Sequence, residues 1–402
     1  MNYPVVVNRP VAKWDIFCRI VDNYGDIGVC WRLAKQLKNE HRLIVKLFID
    51  LPEVAQKIIP DLNLTLIQQR ISGVEIYIWN DALFSKDNFA EDVADVVIEA
   101  FACDLPQQYA ASIQSQKSQT FNGNQSTIWL NLEYLSAEKW VDNFHAKSSV
   151  NPKTGVIKHY FFPGFYQSTG GLLREGGLII KRDTFQASNS LQLAFLQQFH
   201  VNIISLHVIK ISLFCYPHAP LLDLLHILST GNTQVSLFVP GNEILTTIAR
   251  FLHVENINLK VGREYKKGCL SIHIMPFLSQ DEYDQLLWCC DINFVRGEDS
   301  WVRAILAGKP FIWQPYFQQE ESHIVKLNAF LDEYCQLLEV STSKALQQLN
   351  HAWIYPNPND LAIYWVGYIQ QLEVYKAHAQ IYTKRLSEQD DLATKLVEFC
   401  NK

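Results

Sequence analysis

The chain has no run of about 18 consecutive apolar residues, which argues against a membrane-spanning helix, and the apolar stretch in the opening MNYPVVVNRPVAKWD is too short for the core of a secretory signal. It has no excess of positive charge either. Lys and Arg number 35 against 41 Asp and Glu, for a net charge of -6, so no global signature of nucleic-acid binding is present, although a local basic patch stays open. There is no C-x-x-C pair, no H-E-x-x-H, no Cys/His metal spacing and no D-x-D triplet, and a metal centre is therefore not supported. G-x-G-x-x-G is also missing, which argues against NAD or FAD. Internal repeats and low-complexity segments are absent. The nine cysteines are odd in number and lie mostly inside apolar runs, which fits reduced thiols in a cytoplasmic protein.

What is present is a long alternation of two patterns. At 402 residues, 48% of them hydrophobic, the chain exceeds what one core usually holds, and two domains are expected. Apolar strand-like runs (WDIFCRIV, LIVKLFID, VEIYIWN, ADVVIEAF, STIWLNLEYLS) alternate with helical ones through the first half, as in a parallel sheet with crossover helices. The rhythm fades between Ser148 and Asp183, which reads as an inter-domain region. It restarts with HVIKISLFCY and runs through VSLFVP, LSIHIMPF, INFVR and PFIWQPY, each followed by a helical stretch. The expected fold class is α/β: a Rossmann-like domain over residues 1–165, a second over 184–370, and C-terminal helices of about 375–402 packing back on the first. This layout resembles GT-B glycosyltransferases, whose two Rossmann-like domains face each other across a cleft. Ligands of such sheets bind beyond the carboxyl ends of the strands.

Two segments carry candidate chemistry. In DNYGDIG, Asp22 and Asp26 follow a buried strand, and Gly25 permits the tight turn. That spacing places Asp26 at a helix N-cap, so the residues alone leave it balanced between cap and catalyst. In INFVRGEDSWVRAILAGKP a strand ends at Arg296 and a helix opens near Glu298, Asp299 and Ser300. Free N–H groups and the helix dipole make that opening an anion site to which Ser300 can add a hydroxyl, while the acids are also favourable first-turn residues. Ser279 and Glu282 form a capping box, leaving Phe277 and Gln280 available to stack on and hydrogen-bond a pyrimidine. Phe214 and Tyr216 alternate on one strand face, with core packing as the default reading. His323 can cap a helix or contact a phosphate.

Taken together, VDNYGDIGVCWRLAKQL and FVRGEDSWVRAILAGKPFIWQPYFQQEESHIVKL resemble the bacterial protein-arginine rhamnosyltransferases that modify elongation factor P. The resemblance implies a GT-B inverting enzyme that moves rhamnose from dTDP-β-L-rhamnose to an arginine of elongation factor P, with no metal or other cofactor, no nucleic acid and no membrane. It further implies Asp26 as base, Asp22 and Glu298 as its acidic partners, and Phe214, Tyr216, Phe277, Gln280, Asp299 and Ser300 as the lining of the thymidine diphosphate pocket. The stretch Gln114–Thr127 and the region around Lys153 have no counterpart in the family pattern. The competing readings are a GT-B transferase acting on a glycan or lipid, and a nucleotide-sugar-binding protein without turnover.

Overall fold

The structure is a computed structural model that describes residues 12–84, 93–119, 127–152, 154–201, 208–241, 243–255, 258–318, 321–355 and 358–401. Lys153 and residues 120–126 lie outside them. The chain divides into two compact units, one of residues 1–175 with 390–402 and one of residues 176–389.

The first unit is built on β1 (Lys13–Cys18), β2 (Ile44–Ile49), β3 (Gln68–Ile71), β4 (Val74–Ile78), β5 (Val96–Ala100), β6 (Ile128–Leu132), β7 (Ser148–Val150) and β8 (Ile157–Phe161). Their order is β3-β4-β2-β1-β5-β6-β8-β7. All neighbours run parallel except the edge pairs β3/β4 and β7/β8. The central strands are largely apolar because both faces are covered, with Asp15, Lys46, Glu99 and Asn131 as buried polar exceptions. One face packs Ile16, Leu47 and Ile98 with Ile27 and Leu33 of the helix Gly25–Glu40. The other gathers Phe17, Phe48, Trp79 and Trp129 with Tyr109.

The second unit repeats the plan with β9 (Ile209–Leu213), β10 (Val235–Pro240), β11 (Glu264–Lys267), β12 (Leu270–Met275), β13 (Ile292–Arg296) and β14 (Phe311–Gln314). The order is β11-β12-β10-β9-β13-β14, parallel apart from β11/β12. These are the two parallel-sheet domains of the GT-B class.

The unit boundaries differ from those expected. Strands β7 and β8 extend the first sheet into the segment read as inter-domain. The helix Leu178–Ala187 belongs to the second unit, where Arg182 Nη1 donates to Leu306 O at 2.8 Å and Gln186 Nε2 to Ala307 O at 2.9 Å. The returning tail is shorter than 375–402. The helix Leu372–Ser387 stays with the second unit, with Tyr382 packed edge-on to Tyr334 at 4.7 Å. Only the segment from Asp390 rejoins the first unit, where Leu392 N donates to Leu172 O at 2.9 Å and Leu392, Ala393 and Leu396 enter the core.

Candidate active site

Strand β1 lies where the first sheet reverses its build order, with β2 on one side and β5 on the other. Doubly wound sheets leave a crevice at the carboxyl end of such a switch point, and the loop after β1 occupies it. The Asp22 carbonyl accepts from Gly25 N at 2.7 Å, Asn23 adopts φ 40°, and the helix Gly25–Glu40 begins. The expectation that Asp26 caps this helix is not met. Tyr24 holds the N-cap position without a side-chain bond, and Asp26 sits inside the first turn. Its carboxylate turns back onto the loop, where Oδ2 accepts from Val21 N at 2.7 Å and Asp22 N at 2.9 Å. Oδ1 accepts from the Tyr134 hydroxyl at 3.2 Å, and the Tyr134 ring is held by stacking on Phe101 at 4.3 Å.

Asp26 is 2% exposed. Burial raises its pKa above the ordinary aspartate value; the hydrogen bonds from Asp22, Val21 and Tyr134 oppose that rise and the charge of Asp50 adds to it. Asp22 is half-buried. A Cβ on Gly25 would stand 2.9 Å from Asp22 Oδ2, so Gly25→Ala forces the flexible carboxylate aside while favouring the helix. An activity that uses Asp22 is expected to fall about tenfold to a hundredfold, the scale set by misplacing a reacting group, with the thermal midpoint held or raised. An unchanged rate would show that the position of Asp22 does not matter. A cavity of about 710 Å³ elsewhere in the first unit has Arg19, Trp79 and Lys158 in its lining. Its buried Glu99 is satisfied by Trp129 Nε1 at 3.0 Å, Lys158 Nζ at 3.1 Å and Asp104 N at 3.1 Å.

The second sheet reverses at β9, between β10 and β13. Phe214 and Tyr216 lie just past the end of β9, not within it, and together they clamp one cation. The Arg296 guanidinium, at the last position of β13, sits 4.3 Å from the Phe214 ring centroid and 4.5 Å from that of Tyr216. Its Nη1 donates to Cys215 O at 3.1 Å. Gly297 then turns at φ 62°, and its carbonyl is pinned by Trp313 Nε1 at 2.7 Å, with Trp313 stacked on Trp301 at 3.7 Å. That turn aims the opening of the helix Asp299–Ala307 at the switch point.

Glu298 occupies the N-cap position but makes no side-chain cap bond, and Asp299 is in the first turn. Both are half-buried. The Ser300 hydroxyl accepts from Arg296 N at 3.0 Å and donates to Arg296 O. It is thus committed to the backbone here, whereas the sequence suggests a donor for an anion. What the helix opening offers is its first-turn N–H groups, its dipole and the adjacent Arg296. Gln314 lies alongside, its Oε1 accepting from Tyr216 N at 2.8 Å. Beyond β12, Phe277 is 42% exposed. Gln280 is buried at the start of the helix Gln280–Cys289, whose Ser279–Glu282 capping box forms as expected.

The structure therefore joins Asp22 and Asp26 in the first unit, and gathers Phe214, Tyr216, Glu298, Asp299 and Ser300 about Arg296 in the second. Sequence reasoning passed over Tyr134, Asp50, Arg296 and Gln314. For Arg296 a signal existed, namely a lone cation closing an apolar strand.

The family model described as Elongation-Factor P (EF-P) rhamnosyltransferase EarP matches residues 14–401. The chain belongs to the EarP family. The protein-arginine rhamnosyltransferase of Pseudomonas aeruginosa is 41% identical over 389 residues, 97% of this chain and 99% of that protein. The protein-arginine rhamnosyltransferase of Pseudomonas putida is 42% identical over 388 residues, 96% of this chain and 98% of that protein. A solved EarP structure, described as the structural basis for EarP-mediated arginine glycosylation of translation elongation factor EF-P, aligns with TM-score 0.66 at 32% identity, covering 97% of this chain and 99% of that one. MurG of Acinetobacter baumannii, with TM-score 0.51 and 13% identity over 96% of this chain and 98% of that one, shares the fold alone. This EarP-family chain is accordingly a protein-arginine rhamnosyltransferase with the GT-B fold. Among its described residues, no helix is long and apolar enough to cross a membrane.

Proposed function

We propose that this EarP-family enzyme transfers rhamnose from dTDP-β-L-rhamnose to an arginine of elongation factor P with inversion, in the cytoplasm. The observation that carries this reading is the pairing of chemistries at the two switch points: a buried, hydrogen-bonded carboxylate in one unit, and a caged arginine beside a helix opening in the other. The first suits a guanidinium and the second a nucleoside diphosphate.

In the proposed reaction a guanidinium nitrogen attacks the anomeric carbon of rhamnose. The N–C bond forms as the bond from that carbon to the diphosphate oxygen breaks. The nitrogen loses a proton to Asp26, and thymidine diphosphate leaves with the bonding pair. Full deprotonation beforehand is badly uphill. The guanidinium pKa lies roughly 9 to 10 units above that of an ordinary aspartate, a gap of about 12 to 13 kcal/mol. The raised pKa of Asp26 narrows that gap, and proton transfer concerted with attack removes the need to cross it in full. Oδ2 is occupied by two N–H donors, so Oδ1 is the basic atom. Asp22 holds the guanidinium by charge-assisted hydrogen bonds and orients the attacking nitrogen, and Glu298 is the acidic residue at the helix opening of the second unit.

Phe277 and Gln280 take the thymine, and Arg296 with the opening of the helix Asp299–Ala307 neutralises the departing diphosphate. No metal ion is assigned a part. Incubating the protein with dTDP-rhamnose and elongation factor P in the presence of EDTA is expected to add the mass of one deoxyhexose to a single arginine. No mass gain with this donor, or gain on a glycan or lipid in its place, would falsify the assignment.

A further inference from the structure

The anion site around Arg296 does not end at the helix Asp299–Ala307. A second helix, Ser322–Tyr334, opens nearby, and its second residue is His323. This imidazole is 5% exposed, and its Nδ1 is buried without a hydrogen-bond partner. The Gln314 amide has the same property: with Oε1 engaged by Tyr216 N, its Nε2 is buried and unpartnered. A buried polar atom left unpaired costs about 1–3 kcal/mol. Gln314 pairs with Arg296 across β13 and β14, and its vacancy together with that of His323 calls for a ligand that supplies acceptors.

A chain of rings joins the two regions. Tyr216, which stacks under Arg296, is parallel to His218 at 5.6 Å. His218 meets Phe317 at 6.1 Å, and Phe317 meets His323 at 4.8 Å. Burial, His323 and Arg296 all push the pKa of His218 down, so the three basic groups lie within electrostatic reach of one another. Glu321, at the N-cap position, makes no cap bond to this helix. Its carboxylate acts on the Tyr355 hydroxyl.

We propose that His323, assisted by Gln314, is a donor-binding residue that hydrogen-bonds through Nδ1 to a phosphate oxygen of the nucleoside diphosphate. This rests on the donor reading above and adds to it a contact from a second helix. Binding fills both vacant positions with acceptors. It also ties the diphosphate to a helix that opens 15 residues after the helix Asp299–Ala307 ends.

The test measures calorimetric affinity for thymidine, thymidine diphosphate and uridine diphosphate. His323→Phe keeps a planar ring without a donor, and His323→Asn restores a donor near the position of Nδ1. The Phe variant is expected to lose about tenfold to a hundredfold in affinity for both diphosphates, the range of one hydrogen bond to a charged group. Thymidine affinity should be unchanged, and the Asn variant should bind as the parent does. Parent-like diphosphate binding by the Phe variant, or an equal loss for thymidine, overturns the proposal.

If the Phe variant does not fold, the Asn and Asp variants decide, since they differ only in donor against charge. The Asp variant alone should lose diphosphate affinity, and equal affinities overturn the proposal. A parent that binds uridine diphosphate but not thymidine diphosphate refutes the donor identity and leaves the His323 comparison to be read on uridine diphosphate. A parent that binds neither refutes both.

Discussion

Asp26→Asn is expected to lower rhamnosyl transfer by about 10²–10⁴-fold, the usual worth of a positioned general base, while nucleotide affinity in the second unit stays at the parent value. The substitution is informative because of how the carboxylate is held. An asparagine carbonyl can accept the same two N–H groups from Val21 and Asp22, so the loop after β1 keeps its shape. The change is then confined to the atom facing Tyr134, where a basic oxygen becomes an amide.

The pH profile gives an independent reading of the same residue. Because burial raises the pKa of Asp26, its ionised form is depleted as the pH falls through a value above that of an ordinary aspartate. The acid limb of kcat/KM should therefore lie above the usual carboxylate range and vanish from the residual rate of the Asn variant. Linkage carries the opposite sign for stability. A carboxyl with a raised folded-state pKa binds its proton more tightly when folded, so its contribution favours the folded state at low pH and is lost as pH rises through the raised value. Transfer by the Asn variant at the parent rate would remove Asp26 from the chemistry.

The second large effect concerns Arg296. Arg296→Gln should weaken thymidine diphosphate binding by about tenfold to a hundredfold through loss of a charge-assisted contact and raise the KM for the donor to match, with thymidine binding little altered. Removing a cation from between two rings also gives up about 0.5–2 kcal/mol of cation–π attraction, so a lower thermal midpoint accompanies the loss. Equal weakening of thymidine and its diphosphate would instead mean that Arg296 only props the Phe214 and Tyr216 rings. Calorimetry with both ligands separates these outcomes.

The strands that carry the site were legible because they are central. WDIFC, VVIEA, IWLNL and INFVR are covered on both faces, and such strands read as largely apolar runs. The edge strands QQRI, SSV and EYKK are not: they are short, largely solvated and polar, and they read as loop. β8 was hidden for the same reason, since IKHYF is mostly half-exposed and lies between a Gly-containing turn and a Pro-Gly segment. Those omissions are why the segment from Ser148 reads as inter-domain although it adds two strands to the first sheet. The last helices were assigned too generously to the first unit because amphipathic spacing reports a buried face without saying what buries it.

The sequence by itself determined the class of fold, the family, and the two segments where chemistry gathers, because the loops after β1 and β13 are marked by residue types that a buried strand end would not otherwise hold. Only the tertiary structure decided how those residues are held. Asp26 is a poor candidate for a cap because its oxygens turn backward onto Val21 and Asp22, and no spacing rule reports side-chain direction. Ser300 is tied to the backbone of Arg296. Arg296 itself is held against the rings of Phe214 and Tyr216, some eighty residues earlier in the chain, which the sheet order of β9 beside β13 brings to it. Periodicity encodes which face of an element is buried. The partners across that face, and hence charge, burial and free hydrogen-bonding capacity, exist only once the sheets are assembled.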